Sequence, residues 1–178
     1  MLIWINGAHG VGKTSAARKL AVLGADRFLI DPEQIGFMLR RIWPGGGPAD
    51  FKDLPAWREL TVATLRAAAA DRPAATLIVP MTLANPLHHA EIVGGLRAGG
   101  IDVRHFTLLA SPATLRRRIR RRLDWPRSRR WALSRSESCS AALEDPAFAD
   151  HVQTDGLSIA EVAAEIVKRV EGNQSGER

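Results

Sequence analysis

The sequence is poor in cysteine, in long apolar runs and in most of the short signatures that mark enzyme classes. One cysteine, Cys139, in 178 residues cannot close an internal disulfide; this suits a reducing compartment. Its expected part is that of a small buried hydrophobe, because a reactive thiol needs an exposed, electropositive setting. No apolar run approaches the roughly 20 residues that cross a bilayer. The opening Met-Leu-Ile-Trp-Ile-Asn has neither a basic segment nor a cleavage site. A cytoplasmic protein without stable membrane insertion is the expectation. His88 and His89 are neighbours that point apart on a helix, and no metal-ligand spacing accompanies them. An Asn-Lys-x-Asp guanine signature is missing. So is an acid at the end of the apolar run Leu77-Ile78-Val79-Pro80-Met81-Thr82, where GTPases and AAA-type ATPases hold Mg²⁺ through water.

What is present fits one globular domain. Hydrophobic residues make up 46% and charged ones 25%, an ordinary balance for a packed core. Residues 1–171 read as that domain and 172–178 as a polar tail. Apolar runs at 2–5, 28–30, 76–81, 103–110 and 151–154 alternate with helical patterns at 13–23, 33–42, 54–70, 86–98 and 158–170. Alternation of this kind predicts an α/β fold of three layers, a five-stranded parallel sheet covered on both faces. Ser111-Pro112 and the Ser158-to-Glu161 capping box mark two helix starts.

Gly7-Ala8-His9-Gly10-Val11-Gly12-Lys13-Thr14 fits G-x-x-x-x-G-K-[ST] without a gap. The glycines let backbone amides converge on a phosphate, and the helix that follows points its positive end at the same anion. Lys13 reaches the β- and γ-phosphates and the Thr14 hydroxyl joins the Mg²⁺ shell. The loop lies between a predicted strand and a predicted helix, the context the motif requires. ATP with Mg²⁺ is the expected ligand. His9 occupies a variable position and is expected to face solvent.

Two further features bear on chemistry. Asp31 ends the second strand, on the side of the sheet that faces a ligand crevice, where it can accept a hydroxyl proton; capping the next helix is the alternative. Residues 113–135 hold ten arginines against the single acid Asp124, so this block carries +9 while the whole chain carries +6. Charge so concentrated fits a lid over a polyanionic ligand better than a nucleic-acid surface. Arg118 and Arg122 lie one helical turn apart and can reach one ligand; most of the ten are expected to be solvated. Trp43, Trp57, Trp125 and Trp131 fall in or near segments that would cover the site, with core packing as the default.

Over nearly its whole length the chain resembles the tunicamycin-resistance ATP-binding proteins. The resemblance rests on Ile3 to Ala8, the glycine loop, Asp31-Pro32-Glu33, Gly36-Phe37, Ile78 to Thr82, His105 to Leu108, Ala110-Ser111 and Asp150 to Asp155. It implies a fold like that of nucleoside monophosphate kinases and resistance to a uridine-containing antibiotic. The family's arginine pattern falls on Arg118, Arg120 and Arg122. The resemblance suits a phosphotransferase acting on a nucleoside-type compound and equally an ATP-dependent binder that sequesters tunicamycin.

Overall fold

The computed structural model describes residues 1–121 and 126–175. Five parallel strands form one sheet: β1 (Leu2–Gly7), β2 (Arg27–Leu29), β3 (Thr76–Pro80), β4 (Val103–Leu109) and β5 (His151–Gln153). Their order is β2-β3-β1-β4-β5. β1 sits in the middle, with Leu2 opposite Leu77 on one side and Val103 on the other. From β1 the chain goes to the edge strand β2, returns to β3 beside β1, and then crosses to the other side, so a crevice opens at the C-terminal end of β1.

Successive residues of β1 serve opposite faces, and all six are buried. Ile3 and Ile5 join Ile78, Phe106 and Leu108 beneath α1 (Lys13–Ala21) and α8 (Ile159–Ser175). Leu2 and Trp4 join Leu77, Val79, Trp57 and Leu65 on the other face. That face is covered by α3 (Pro55–Asp71) and by the segment of α4 (Pro86–His89) and α5 (Gly95–Ala98). Two buried indoles also find partners for their N–H groups: Trp4 donates to Met81 O at 3.1 Å and Trp57 to Pro32 O at 3.0 Å. The second bond anchors the turn that begins α2 (Glu33–Ile42).

The remaining helices are α6 (Pro112–Arg120) and α7 (Pro126–Leu143). Ser111 caps α6, its hydroxyl accepting from Thr114 N, and Ser158 and Glu161 form the reciprocal capping box of α8. Two details depart from the sequence pattern. The helix expected over 86–98 contains a π turn, Ala90–Gly94, between α4 and α5, and α8 continues past Val170 to Ser175. Among the described residues no helix is long and apolar enough to cross a membrane.

Candidate functional site

The crevice is built first from the end of β1. Gly7, Gly10 and Gly12 all have positive φ. At Gly10 the requirement is double: φ is +87°, and a Cβ there would lie 2.6 Å from Ile119 Cγ1. α6 therefore packs directly against the loop. Gly12 stands at the N-cap of α1, where no side chain occupies the open amides and no acid lies in the first turn. A phosphate fits that cradle. Lys13 Nζ lies back over the loop, donating to Gly7 O at 2.9 Å and Ala8 O at 3.1 Å. Thr14 follows in the first turn with its side chain exposed. Among the described residues no cluster of His, Cys, Asp and Glu offers a separate metal site.

Asn6 is a site residue that motif reading missed. Its side chain is fully buried, and Oδ1 accepts from both Gly7 N and Leu83 N. Nδ2 donates to Leu83 O and approaches His105 Nε2 at 3.3 Å. One amide thus fixes the entrance of the phosphate loop to the segment after β3. Thr82 adds a second stitch, its hydroxyl donating to Gly7 O at 2.8 Å. The signal was visible as a polar residue inside an apolar strand, immediately before the glycines. His105 Nδ1 pairs with Ala149 O, and burial depresses the ring's pKa from 6.5 to about 4.

The remaining sequence candidates separate. Asp31 stands beyond the end of β2 as expected, and its Oδ1 accepts from Glu33 N, the first amide of α2, at 3.0 Å. Arg118 is held by the protein itself: its guanidinium donates to Val11 O, Thr154 Oγ1 and Thr154 O at 2.8–2.9 Å. These bonds tie the phosphate loop to the turn after β5. In the same turn Asp155 accepts from Ser111 N and Oγ. Arg120 is exposed, and Arg116 pairs with Glu137. Arg122 and Trp125 lie outside the described residues.

Beside the phosphate loop lies a cavity of about 490 Å³. One wall is the segment after β3 (Thr82 to Asn85) and another is α7 (Trp131, Ser134, Arg135, Ser138). Asp50, Lys52 and Asp53, around the one-turn 3-10 helix Phe51–Asp53, close the third side. This turn is positioned by Gly36 of α2, which leaves room for the Phe51 ring: a Cβ at Gly36 would lie 2.5 Å from it. His9 lines the cavity and packs edge-on against Trp131, centroids 4.7 Å apart, instead of facing solvent; α7 returns over the loop and offers it an aromatic partner. Trp57 is core, while Trp43 is partly exposed and not among the lining residues. Burial works to raise the Asp50 pKa, but the hydrogen bond and charge of Lys52, with Arg135, outweigh it and hold the carboxyl below its usual value. Cys139 lines the cavity too. Burial raises its thiol pKa against the charges of Lys13, Lys52 and Arg135, so it remains a packing thiol. The Asp50 to Asp53 group was not legible as a site, because a loop after Gly45-Gly46-Gly47 carries no spacing that announces a cavity.

A glycine nest at the end of a central strand, in this strand order and beside a second cavity, defines a P-loop protein of kinase-like architecture. The chain belongs to the AAA-domain family, which matches residues 2–137, and to the tunicamycin-resistance ATP-binding proteins. It is 30% identical to the Deinococcus radiodurans tunicamycin resistance protein, covering 96% of this chain and 95% of that one with a TM-score of 0.80. A Sinorhizobium meliloti gluconokinase (17% identity, 98% and 95% coverage, TM-score 0.65) shares the fold. So does an Acinetobacter baumannii shikimate kinase solved with shikimate (18%, 97% and 93%, 0.60). A search of the curated proteins found no match. Thr82 stands where an acid was sought after the third strand.

Proposed function

We propose that this protein binds ATP with Mg²⁺ and transfers the γ-phosphoryl group to a hydroxyl of a small nucleoside-type compound, in the chemical class of tunicamycin. The observation that carries the reading is adjacency. His9 belongs to the phosphate loop and lines the neighbouring cavity, and Thr82 lines that cavity while bonded to Gly7 O. A nucleotide in the cradle and an acceptor in the cavity would share one wall.

In this reading Lys13 leaves the loop carbonyls for the β- and γ-phosphates and offsets charge that builds during transfer. Mg²⁺, held through Thr14 and phosphate oxygens, supplies further charge neutralisation. The acceptor oxygen forms a bond to the γ-phosphorus as the bond to the bridging oxygen breaks, ADP departs, and the hydroxyl proton passes to a carboxylate. Asp31, at the end of β2, and Asp53, on the cavity wall, are the two candidates for that base. Arg118 acts by holding the loop in place. The test is incubation with ATP, Mg²⁺ and tunicamycin, followed by mass measurement of the drug. Gain of one phosphoryl group is the expected result.

The hydrogen bond that the Asp31 carboxylate already accepts from Glu33 N favours a second reading, ATP-dependent sequestration without chemistry. It predicts that the drug is retained by the protein with ATP present and recovered with its mass unchanged.

A further inference from the structure

Among the described residues, four formally charged side chains line the cavity beside the phosphate loop: Asp50, Asp53, Lys52 and Arg135. They balance. Lys52 Nζ lies 2.9 Å from Asp50 Oδ2, and Arg135 Nη1 approaches the same oxygen at 3.6 Å. Each cation also leans on a ring, Lys52 over Phe51 at 5.4 Å and Arg135 over Trp131 at 5.8 Å. The side chains of Asp50 and Lys52 are 16% and 17% exposed, so their pairing is screened far less than a surface pair. The pKa of His88, also on the wall, is lowered by burial and by the charge of Arg58. The rest of the lining supplies hydrogen-bonding groups without charge, from Ser134, Ser138, Thr82 and Asn85.

Such a lining treats ligands unequally. An anionic acceptor would have to draw Lys52 or Arg135 from a carboxylate they already share, and would do so facing a second carboxylate, Asp53. An uncharged acceptor displaces nothing, and its hydroxyls meet hydroxyl, amide and carboxylate partners. We propose that the cavity selects an uncharged, hydroxyl-bearing acceptor over its phosphate- or carboxylate-bearing counterpart, with Asp50 as the specificity-determining residue because it consumes both cations. The proposal rests on the reading of this cavity as the acceptor site, but it is a claim about binding and stands apart from transfer.

The consequence is specific. Asp50→Asn keeps an oxygen to cap Lys52 N, the bond Asp50 Oδ1 makes at 3.1 Å. It removes the charge that pairs the two cations, and the cavity becomes electropositive. The experiment measures binding of uridine, cytidine and glucose, each against its monophosphate, to the full chain saturated with Mg²⁺ and a non-hydrolysable ATP analogue. Calorimetry reads the affinities. For the native protein the neutral member of at least one pair should bind at least ~10-fold more tightly than its phosphate ester, and in Asp50→Asn that ratio should shrink at least ~10-fold or invert.

Equal or tighter binding of the monophosphates by the native protein overturns the proposal. So does an unchanged ratio in Asp50→Asn, and so does failure of every neutral member to bind at millimolar concentration. Should Asp50→Asn not fold, Lys52→Met serves in its place; it leaves Asp50 with Arg135 alone, and the preference for the neutral member must then widen. A parallel reaction with ATP separates this proposal from the transfer reading. Neutral ligands bound without gaining phosphate sink transfer and leave the selectivity standing, whereas preferential phosphorylation of the monophosphates does the reverse.

Discussion

Gly10 shows how closely single residues are constrained at this site. It holds φ at +87°, and the space beside it is filled by Ile119. A side chain there meets two penalties, a left-handed backbone and an overpacked contact. Gly10→Ala is therefore expected to destabilise the fold by about 2–4 kcal/mol. A urea titration should show a lower midpoint at unchanged slope, while Lys13→Met, at a half-exposed position, should leave the midpoint close to the native one. The choice of base is also a matter of single residues. Asp31 already accepts from Glu33 N and Asp53 lines the cavity. Phosphorylation kinetics of Asp31→Asn and Asp53→Asn tell them apart: the true base should lose about 10²–10⁴-fold in kcat. Its partner should change little, since asparagine keeps the side chain's shape and an acceptor oxygen. If neither variant loses activity, both assignments fail.

Elements were legible where local chemistry sets them and obscure where tertiary packing does. The β1–loop–α1 unit could be read from its motif, and Ser111 and Ser158 named two helix starts that the structure contains. The 3-10 turn Phe51–Asp53 could not be read, because its place depends on Gly36 of α2 admitting a ring from a distant segment. Arg118 makes the same point. Helical spacing put it on a ligand-facing stripe, but spacing cannot show that Val11 O and Thr154 arrive from two other elements to receive it. Those bonds make α6 the brace of the phosphate loop. Arg118→Ala should cost about 2–3 kcal/mol of stability and weaken ATP binding. Arg118→Lys keeps the charge without the planar fork, so it should recover less than half of either loss. Full rescue by lysine, measured by thermal unfolding and nucleotide calorimetry, would show that charge alone matters and that the brace is unimportant.

At the scale of the whole molecule, both faces of the sheet are closed by helices, and the closure buries polar groups that link the site to the rest of the protein. The chain Gly7–Asn6–His105–Ala149 runs from the phosphate loop through the sheet to the segment leading into β5. Asn6 Nδ2 is a donor, so His105 Nε2 must accept and Nδ1 must carry the proton given to Ala149 O. A second proton on the ring would break the bond to Asn6. His105 is buried with a pKa near 4, against 6.5 when exposed. The sign follows from proton binding: between these values the unfolded chain takes up the proton and the folded chain refuses it, so stability rises with pH. Stability is complete above pH 6.5 and falls as pH drops through 4, by about 3 kcal/mol for this group. His89, whose pKa burial also lowers, adds slope in the same direction. Asp50 and Asp155, both with lowered pKa, act only at more acid pH, as they protonate. His105→Gln, able to accept from Asn6 without titrating, should remove the His105 share alone. Urea unfolding at pH 7, 5.5 and 4 should therefore show the native protein losing stability relative to the variant as the pH falls. Parallel curves over that range would mean that the buried link between the phosphate loop and β5 does not govern the molecule's response to acid.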